Sequence, residues 1–256
     1  MRQSFTWWSF SNRGVEPLAL LKAAADIGYD GVEMLPPDWW TAARDIGLSL
    51  ATLIGHGPIH EGLNQRQHHA RIAAAVNESL DRAVAQRVPT IILFAGNRQP
   101  GVSDDEAAEI TADGLRQLAP RAESAGVDLV LELLNSKVNH KGYQADRTEW
   151  GVKVCKLVGS PRVKLLYDIY HMQIMEGDLI QTIADDHGYF GHYHTAGCPG
   201  RGDLDDEQEI YYPAILRAIA RTGYAGYVGH EFLPKSDPVA GLKHAFELTR
   251  TALAAG

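Results

Sequence analysis

Short apolar runs alternate with longer segments of helical periodicity along the whole chain, and eight such pairs can be counted. Strands that are separated by helices run parallel, because each helix returns the chain to the end of the sheet at which the previous strand began. Eight pairs favour a closed (β/α)8 barrel, although an open doubly wound sheet has the same local pattern. The alternation therefore predicts an α/β fold, and one domain over residues 1–256, since barrels of this kind occupy this length.

The element bounds follow from the periodicity and from residues that start and stop helices. Strands are predicted at Ser4–Trp8, Gly31–Met34, Leu48–Ile54, Thr90–Phe94, Asp128–Leu133, Val163–Asp168, Tyr189–His194 and Tyr227–Glu231. Helices are predicted at Pro17–Ile27, Pro37–Ile46, Arg66–Ala85, Asp104–Ala125, Glu149–Val158, Asp178–Asp186, Tyr212–Arg221 and Val239–Ala254. Ser103 followed by Glu106 fits a capping box, and glycine follows three of the predicted helix ends, at positions 28, 126 and 223.

Composition and charge exclude several functional classes. Binding to a nucleic acid backbone needs a dense Lys/Arg surface, whereas the formal net charge is -8 at pH 7. No apolar stretch is long enough to span a bilayer, and the first ten residues lack the apolar core of a secretory signal. We therefore expect a cytoplasmic protein with neither nucleic acid nor membrane as partner. Cys155 and Cys198 are expected to be reduced thiols.

Four consecutive predicted strands end on a side chain that can bind a metal ion. Glu132, Asp168, His194 and Glu231 stand at the ends of strands five to eight. In a parallel barrel the carboxyl ends of the strands and the loops that follow them build the functional site. We therefore expect these four side chains to converge at one rim.

Each of these residues also has a purely structural interpretation. Asp168 could cap the following turn, His194 could be a hydrogen-bonded core histidine, and either glutamate could pair with a basic neighbour. The combination favours a metal ion, because three converging carboxylates repel one another unless a cation lies between them.

The types of ligand narrow the choice of ion. Three carboxylates and one imidazole, without a thiolate, suit one hard or borderline divalent ion. Mn²⁺ or Mg²⁺ is the predicted cofactor, with Co²⁺ and Zn²⁺ as further candidates. On an octahedral ion, four protein ligands leave two positions for a carbonyl oxygen and the neighbouring hydroxyl of a substrate.

Such chelation favours removal of the proton next to the carbonyl, because a metal on the oxygens stabilises the resulting enediolate. Glu132 and Glu231 are the candidate acid/base pair, one removing the proton and the other returning it. The predicted reaction is therefore an isomerisation or epimerisation of a small hydroxycarbonyl compound. The chain has neither a GxGxxG after its first strand nor a GxSxG elbow, so nothing in it suggests redox or acyl-transfer chemistry.

Three further residues near the strand ends are candidate substrate contacts. His171 follows Asp168 by three positions, Arg201 lies in a Gly/Pro-rich loop after strand seven, and His56 follows strand three. The alternatives are an exposed first-turn histidine, a solvated loop arginine, and a core or surface histidine, respectively. Trp7 and Trp8 are candidates for the pocket wall or for core packing.

Four stretches of the chain, ELLNSKVNHKGY, YDIYHMQIMEGD, GHYHTAGCPGRGD and GHEFLP, resemble one known group of enzymes. This group is the hydroxypyruvate isomerase-like branch of the xylose isomerase-like TIM barrel superfamily, which also contains tagatose and psicose 3-epimerases. The resemblance implies one divalent ion held by Glu132, Asp168, His194 and Glu231, the two glutamates as acid and base, and substrate contacts from His171 and Arg201. It also makes a homo-oligomer plausible.

Two positions depart from the patterns of this group. The hydroxypyruvate isomerases carry glutamine where this chain has His194, whereas the 3-epimerases carry histidine there. The epimerases have a further substrate-contacting glutamate at the position of Val138. A ketose 3-epimerase, a sugar-acid dehydratase and a non-catalytic sugar-binding barrel therefore stay open as alternatives to the isomerase.

The apurinic endonucleases of the same superfamily are a further alternative, which the acidic charge disfavours. They need an Asp-x-His pair in the seventh loop, and the pair here, Asp185 with His187, precedes strand seven. Asp203 and Asp205, after that strand, could hold a second ion or form a solvated acidic loop.

Overall fold

The backbone forms a closed parallel barrel. The structure, a computed structural model, describes residues 1–255. Within these residues eight strands pair in chain order, and the last pairs with the first. They are β1 (Arg2–Thr6), β2 (Gly31–Glu33), β3 (Ser49–Ile54), β4 (Thr90–Leu93), β5 (Asp128–Glu132), β6 (Val163–Asp168), β7 (Phe190–Thr195) and β8 (Tyr227–His230). The (β/α)8 barrel predicted from the alternation is confirmed.

Helices connect these strands. Residues 1–255 contain ten α-helices: α1 (Trp7–Phe10), α2 (Pro17–Ile27), α3 (Trp40–Asp45), α4 (His69–Gln86), α5 (Asp104–Ala125), α6 (Thr148–Val158), α7 (Ile169–Met175), α8 (Leu179–Asp186), α9 (Tyr212–Arg221) and α10 (Pro238–Ala254). Short 3₁₀ turns cover Pro37–Trp39, Arg66–His68 and His187–Tyr189.

Most predicted helices start or stop within a residue of the observed bounds, because their caps are encoded locally. The Ser103 hydroxyl accepts a hydrogen bond from the backbone N–H of Glu106 at 3.1 Å, as the capping box requires. Gly28 and Gly126 end α2 and α5 in the left-handed conformation, with φ of 117° and 69°.

Two short helices lie where the sequence predicts none. The predicted first strand, Ser4–Trp8, is wrong at its end, because the chain turns into α1 after Thr6. Aromatic residues suit a strand as well as a short helix, so Trp7 and Trp8 gave no signal of this change. Helix α7 follows β6 directly, and the Asp168 carboxylate caps it.

The strands are almost wholly buried, as expected for a parallel sheet that is covered on both faces. Every residue of β4 and β8 is buried. Within this apolar environment the charged or ionisable residues at the strand ends are exceptions: Glu33, Asp168 and His194 are at most 1% exposed. Buried ionisable groups are rare unless they are paired or bind an ion, so they mark a candidate site at the ends of these strands.

Residues 1–255 form two compact units. One comprises residues 1–51, 178–187 and 193–255, and contains β1, β2 and β8. The other comprises residues 52–177 and 188–192, and contains β4, β5 and β6. Strands β3 and β7 contribute residues to both units. The expectation of one domain over residues 1–256 stays a prediction.

Neither cysteine forms a disulfide in the part of the chain that the structure describes. Burial raises the pKa of Cys155 to about 12, so this thiol is protonated and unreactive at neutral pH. The same residues include no helix that is long and apolar enough to cross a bilayer.

Candidate metal centre

The four predicted ligands come together. Glu132, Asp168, His194 and Glu231 each offer one ligand atom, and these atoms all lie within 4.8 Å of one another. All four residues are buried, with exposures of 6%, 1%, 0% and 4%. Three of them are in the last two positions of β5, β6 and β7, and Glu231 follows β8 directly.

The donor set of this cluster fits a divalent cation. Three carboxylates at this separation repel one another strongly in a buried environment, and one imidazole cannot balance them. Carboxylate oxygens and an imidazole nitrogen, without a thiolate, are the donors that hard and borderline ions prefer. The cluster is therefore a site that could hold such an ion.

Glu231 accepts three hydrogen bonds or ion pairs. Its Oε1 accepts from Trp8 Nε1 at 2.9 Å, while its Oε2 lies 2.7 Å from Arg201 Nη2 and 3.0 Å from His194 Nδ1. Burial by itself raises the pKa of Glu231, but the charges of His194 and Arg201 and the hydrogen bonds from His194 and Trp8 bring that pKa well below its ordinary value. Glu231 is therefore an ionised carboxylate, as a ligand or a base must be.

The two carboxylate oxygens of Asp168 lie near different atoms of His171. Its Oδ1 accepts the backbone N–H of His171 at 3.0 Å, so the capping interpretation of Asp168 is correct. Its Oδ2 lies 3.7 Å from Nε2 of the same histidine. Capping and ion binding are compatible, because a carboxylate has two oxygens and the cap engages one of them.

His171 is fully buried, so its interpretation as an exposed histidine is wrong. Its Nδ1 accepts the backbone N–H of Asn135 at 3.1 Å and lies 2.5 Å from the Asn135 side-chain nitrogen. A neutral imidazole that accepts at Nδ1 carries its proton on Nε2. His171 therefore presents an N–H donor on the side of Asp168.

Arg201 is held in place by the loop between β7 and α9, so its interpretation as a solvated arginine is wrong. Gly197 and Gly202 pair their backbones, and the N–H of Leu233 donates to the Arg201 carbonyl at 2.7 Å. The Arg201 backbone is left-handed, with φ of 57°. Its side chain is only 12% exposed, and its guanidinium carbon lies 5.1 Å from the centre of a Trp8 ring. Arg201 is thus aimed at Glu231.

His56 is a buried histidine that packs against β4. Its Nε2 accepts the backbone N–H of Phe94 at 3.1 Å, and the two rings meet edge to face. Burial, with a contribution from the Arg71 charge, lowers the pKa of His56 to about 4. His56 is therefore neutral at pH 7, with its proton on Nδ1. A core role is supported by these contacts, and its role as a substrate contact stays a prediction.

The pKa of His56 predicts a stability loss in acid. A histidine whose pKa is about 4 when folded and near 6.5 when unfolded disfavours the folded state progressively as the pH falls through this window. At pH 5 the loss is about 2 kcal/mol relative to pH 7. His56→Gln keeps an acceptor for the Phe94 N–H but cannot titrate. The difference in free energy of unfolding between parent and His56→Gln should therefore be about 2 kcal/mol smaller at pH 5 than at pH 7. Urea unfolding of both proteins at pH 7 and pH 5 measures this; an equal deficit at both pH values would contradict it.

Sequence reasoning missed one residue of the site, Glu33, and one contact of a residue that it had named, Trp8. Glu33, at the end of β2, is fully buried, and its Oε2 lies 3.0 Å from His194 Nε2. An acid at the end of a strand was the signal that found Glu132, so the same rule applied to the DGVE stretch would have found Glu33. Trp8 was a candidate for the pocket wall, but no sequence signal predicts that its indole N–H donates to Glu231.

The acidic residues of the loop after β7 are paired with a lysine from the segment between β8 and α10. Lys235 donates its backbone N–H to Asp203 and its ammonium to Asp205 and Glu207, each within 2.9 Å. A hydrogen bond from Lys235 is the main cause that lowers the pKa of Asp205. The solvated acidic loop is therefore favoured over a second ion at these residues.

The match to known families covers most of the chain. The model of the xylose isomerase-like TIM barrel family matches residues 21–252. The chain belongs to this family. The resemblance read from the four sequence stretches is thereby confirmed.

Curated relatives in the xylose isomerase-like TIM barrel family carry isomerase names. A 2-oxo-tetronate isomerase of Pectobacterium atrosepticum is 30% identical over 234 residues, which cover 86% of this chain and 88% of the relative. A putative hydroxypyruvate isomerase of Homo sapiens is 34% identical over 255 residues, which cover 92% of this chain and 90% of the relative. The enzyme class predicted from the sequence agrees with these names.

The fold is shared with solved structures. The D-psicose 3-epimerase of Clostridium cellulolyticum H10, determined with D-tagatose, superposes with a TM-score of 0.82 over 99% of both chains, at 20% identity. Identity at this level shows the fold alone.

Proposed function

We propose that this chain is a divalent-metal-dependent isomerase of a small hydroxycarbonyl compound of the hydroxypyruvate/tartronate semialdehyde type. The observation that carries the proposal is the buried cluster of Glu132, Asp168, His194 and Glu231, with ligand atoms within 4.8 Å of one another. The substrate class is supported by relatives named 2-oxo-tetronate isomerase and hydroxypyruvate isomerase.

The cofactor in this proposal is one Mn²⁺ or Mg²⁺ ion, with Co²⁺ or Zn²⁺ as substitutes. When bound, such an ion supplies positive charge beside two substrate oxygens and so lowers the cost of negative charge that develops on them. Glu132, Asp168, His194 and Glu231 are the residues that would hold it.

The two glutamates transfer the proton. In hydroxypyruvate, one carboxylate removes a proton from C3 and leaves an enediolate. The other glutamate, protonated at the start of the step, gives its proton to C2, and the O3 hydroxyl proton moves to O2, which gives tartronate semialdehyde. The first glutamate then releases the abstracted proton to water and the second takes one up, so no atom is gained or lost. Glu132 and Glu231 follow strands five and eight and belong to the same cluster, so both carboxylates are in reach of a substrate held there.

Three donors are assigned to the substrate. His171 carries its proton on Nε2 and donates to a substrate oxygen. Arg201, next to Glu231, matches the carboxylate of a 2-oxo acid, because its guanidinium can bind a carboxylate through two N–H groups. The buried Nδ1 of His56 has no hydrogen-bond partner among residues 1–255, which supports its assignment as a third donor, since an unpartnered buried donor is costly.

A ketose 3-epimerase is the second candidate. It is favoured by His194, where the hydroxypyruvate isomerases carry glutamine and the 3-epimerases histidine. Against it stands Val138, which is 57% exposed and has no carboxylate to replace the glutamate of the epimerases. A sugar-acid dehydratase would share the enediolate, and a sugar-binding barrel without catalysis would share the cluster of Glu132, Asp168, His194 and Glu231.

The apurinic endonuclease alternative gains nothing from the structure. The Asp185 side chain accepts a hydrogen bond from Gln181 within α8, and His187 begins the 3₁₀ turn that precedes β7. The pair therefore precedes β7, as the sequence predicted. Absence of nucleic acid or membrane partners, location in the cytoplasm, a role in carbohydrate metabolism and a homo-oligomer stay predictions.

A single screen tests the proposal. Proton NMR in deuterated water is recorded with hydroxypyruvate, tartronate semialdehyde, 2-oxotetronates and common ketoses, with and without Mn²⁺. We expect Mn²⁺-dependent loss of the α-proton signal together with conversion of hydroxypyruvate or a 2-oxotetronate. Inversion of a ketose at C3 would establish the epimerase instead, and release of water the dehydratase. Binding without any exchange would leave only the sugar-binding barrel.

A further inference from the structure

Glu33 is a buried carboxylate that touches a proposed metal ligand and has no role in the chemistry described above. It ends β2, its exposure is 0%, and its Oε2 lies 3.0 Å from Nε2 of His194, whose exposure is also 0%. Its other oxygen, Oε1, accepts the hydroxyl of Ser4 at 2.5 Å. Both oxygens are therefore held, and the carboxylate has a fixed orientation beside the imidazole.

The two nitrogens of His194 have different surroundings. Nδ1 lies 3.0 Å from Oε2 of Glu231, which is a member of the cluster, so Nδ1 is the nitrogen on the cluster side. Nε2 faces Glu33. A carboxylate only accepts hydrogen bonds, so without an ion both ring nitrogens, each 3.0 Å from a carboxylate oxygen, are placed to donate. An ion bound at Nδ1 would replace the proton on that nitrogen, while the Glu33 carboxylate would keep the proton on Nε2.

Gly229 leaves the space in which the Glu33 and His194 side chains meet. Gly229 of β8 pairs with His194 of β7. A Cβ atom at position 229 would lie 2.0 Å from Glu33 Oε1 and 2.9 Å from His194 Cδ2. Any other residue at this position would displace the carboxylate or the ring, so glycine is required there while Glu33 and His194 stay in contact.

We propose that Glu33 is a positioning residue of the metal centre, which holds His194 with Nε2 protonated and Nδ1 directed at the ion. Carboxylates that orient metal-binding histidines contribute a factor of 10–100 to metal affinity in other proteins. The inference rests on the proposed function, because it assumes that His194 is a ligand. The competing interpretation makes Glu33 itself a ligand of a second ion, since Glu33, His192 and His194 also offer ligand atoms within 4.8 Å of one another.

The test compares Mn²⁺ binding by the parent, Glu33→Gln and Gly229→Ala in titration calorimetry. We expect one ion per chain in all three, with affinity about 10–100-fold weaker in Glu33→Gln. Gly229→Ala keeps the Glu33 charge and adds only a methyl group, and it should weaken binding in the same direction. It also serves as the second variant if Glu33→Gln does not fold. Glu149→Gln, which removes a carboxylate from an exposed position of α6, is the matched control and should bind as the parent does.

A second readout separates positioning from general structural support. Protein labelled with [¹⁵N]histidine and saturated with diamagnetic Zn²⁺ should show a protonated Nε2 for His194, identified by its absence in His194→Gln. In Glu33→Gln this Nε2–H signal should shift or be lost by exchange.

Each outcome has a defined meaning. Equal affinity and an unchanged signal in Glu33→Gln would overturn the inference while leaving the proposed function intact. Two ions in the parent and one in Glu33→Gln would make Glu33 a ligand and would also overturn it. A parent that takes up no ion would overturn the proposed function, and this inference with it.

Discussion

Replacing Glu231 by glutamine is expected to slow exchange of the substrate's α-proton by about 10³-fold, within the range that general acid–base catalysis contributes. The physical reason is that the Glu231 carboxylate is ionised and lies among three donors, Trp8, Arg201 and His194. A glutamine amide cannot take up the proton, and its NH₂ group would oppose one of these donors. The loss should appear in the exchange rate of hydroxypyruvate or a 2-oxotetronate in deuterated water.

The Glu231→Gln measurement must separate chemistry from metal loss, since Glu231 is also a proposed ligand. Exchange rates are therefore compared at Mn²⁺ concentrations that saturate each protein, as established by calorimetry. Glu231→Asp keeps the charge but places the carboxylate about one methylene group further from the cluster. Compared with Glu231→Gln, it should recover part of the ion binding but little of the exchange rate. Glu149→Gln is the matched control. An exchange rate for saturated Glu231→Gln within tenfold of the parent would show that Glu231 is not the acid or base.

Replacing Asp168 by asparagine is expected to have opposite effects on the metal-free and the metal-bound protein. The variant keeps a side-chain oxygen that accepts the His171 N–H, so the cap of α7 survives. It removes one of three crowded carboxylates, so the metal-free protein should unfold at the same or a higher temperature than the parent. It also removes a ligand, so the stabilisation by Mn²⁺ should be lost.

The expected size follows from mass action. At an ion concentration 100 times the dissociation constant, binding stabilises the parent by about 2.7 kcal/mol, which corresponds to about 5–10 °C for a chain of this length. Thermal unfolding with and without Mn²⁺ measures this shift in the parent, in Asp168→Asn and in the control Asp45→Asn, whose carboxylate is exposed at the end of α3. An Asp168→Asn protein that is stabilised by Mn²⁺ as strongly as the parent would rule Asp168 out as a ligand.

The barrel and the cluster were predictable because both depend on local patterns. Short apolar strands separated by capped helices leave few topologies, and the strand-end positions of a barrel share one rim. Charged residues are conspicuous at the ends of strands that are otherwise apolar, which is why Glu132, Asp168, His194 and Glu231 stood out. The bounds of β6, α2, α5 and α9 match the prediction, since their ends are marked by proline, glycine or a capping side chain.

The contacts around the cluster were not predictable, because they join residues far apart in the chain. Trp8 donates to Glu231 across 223 positions, and His194 meets Glu33 across 161. Hydrogen-bond partners of this kind depend on the barrel's register and on side-chain rotamers, which no sequence period encodes. The burial of His171 and Arg201 has the same origin: their spacing is compatible with an exposed turn, and only the packing of neighbouring loops removes them from solvent.

The most direct measurement of the central claim is the uptake of an ion by the metal-free protein. Protein stripped by a chelator is titrated with Mn²⁺ in a calorimeter, and its metal content is then determined by elemental analysis after dialysis. The account predicts one ion per chain, and a loss of binding in Asp168→Asn and in His194→Gln. A parent protein that takes up no Mn²⁺, Mg²⁺, Co²⁺ or Zn²⁺, or binding that survives both substitutions, would contradict it.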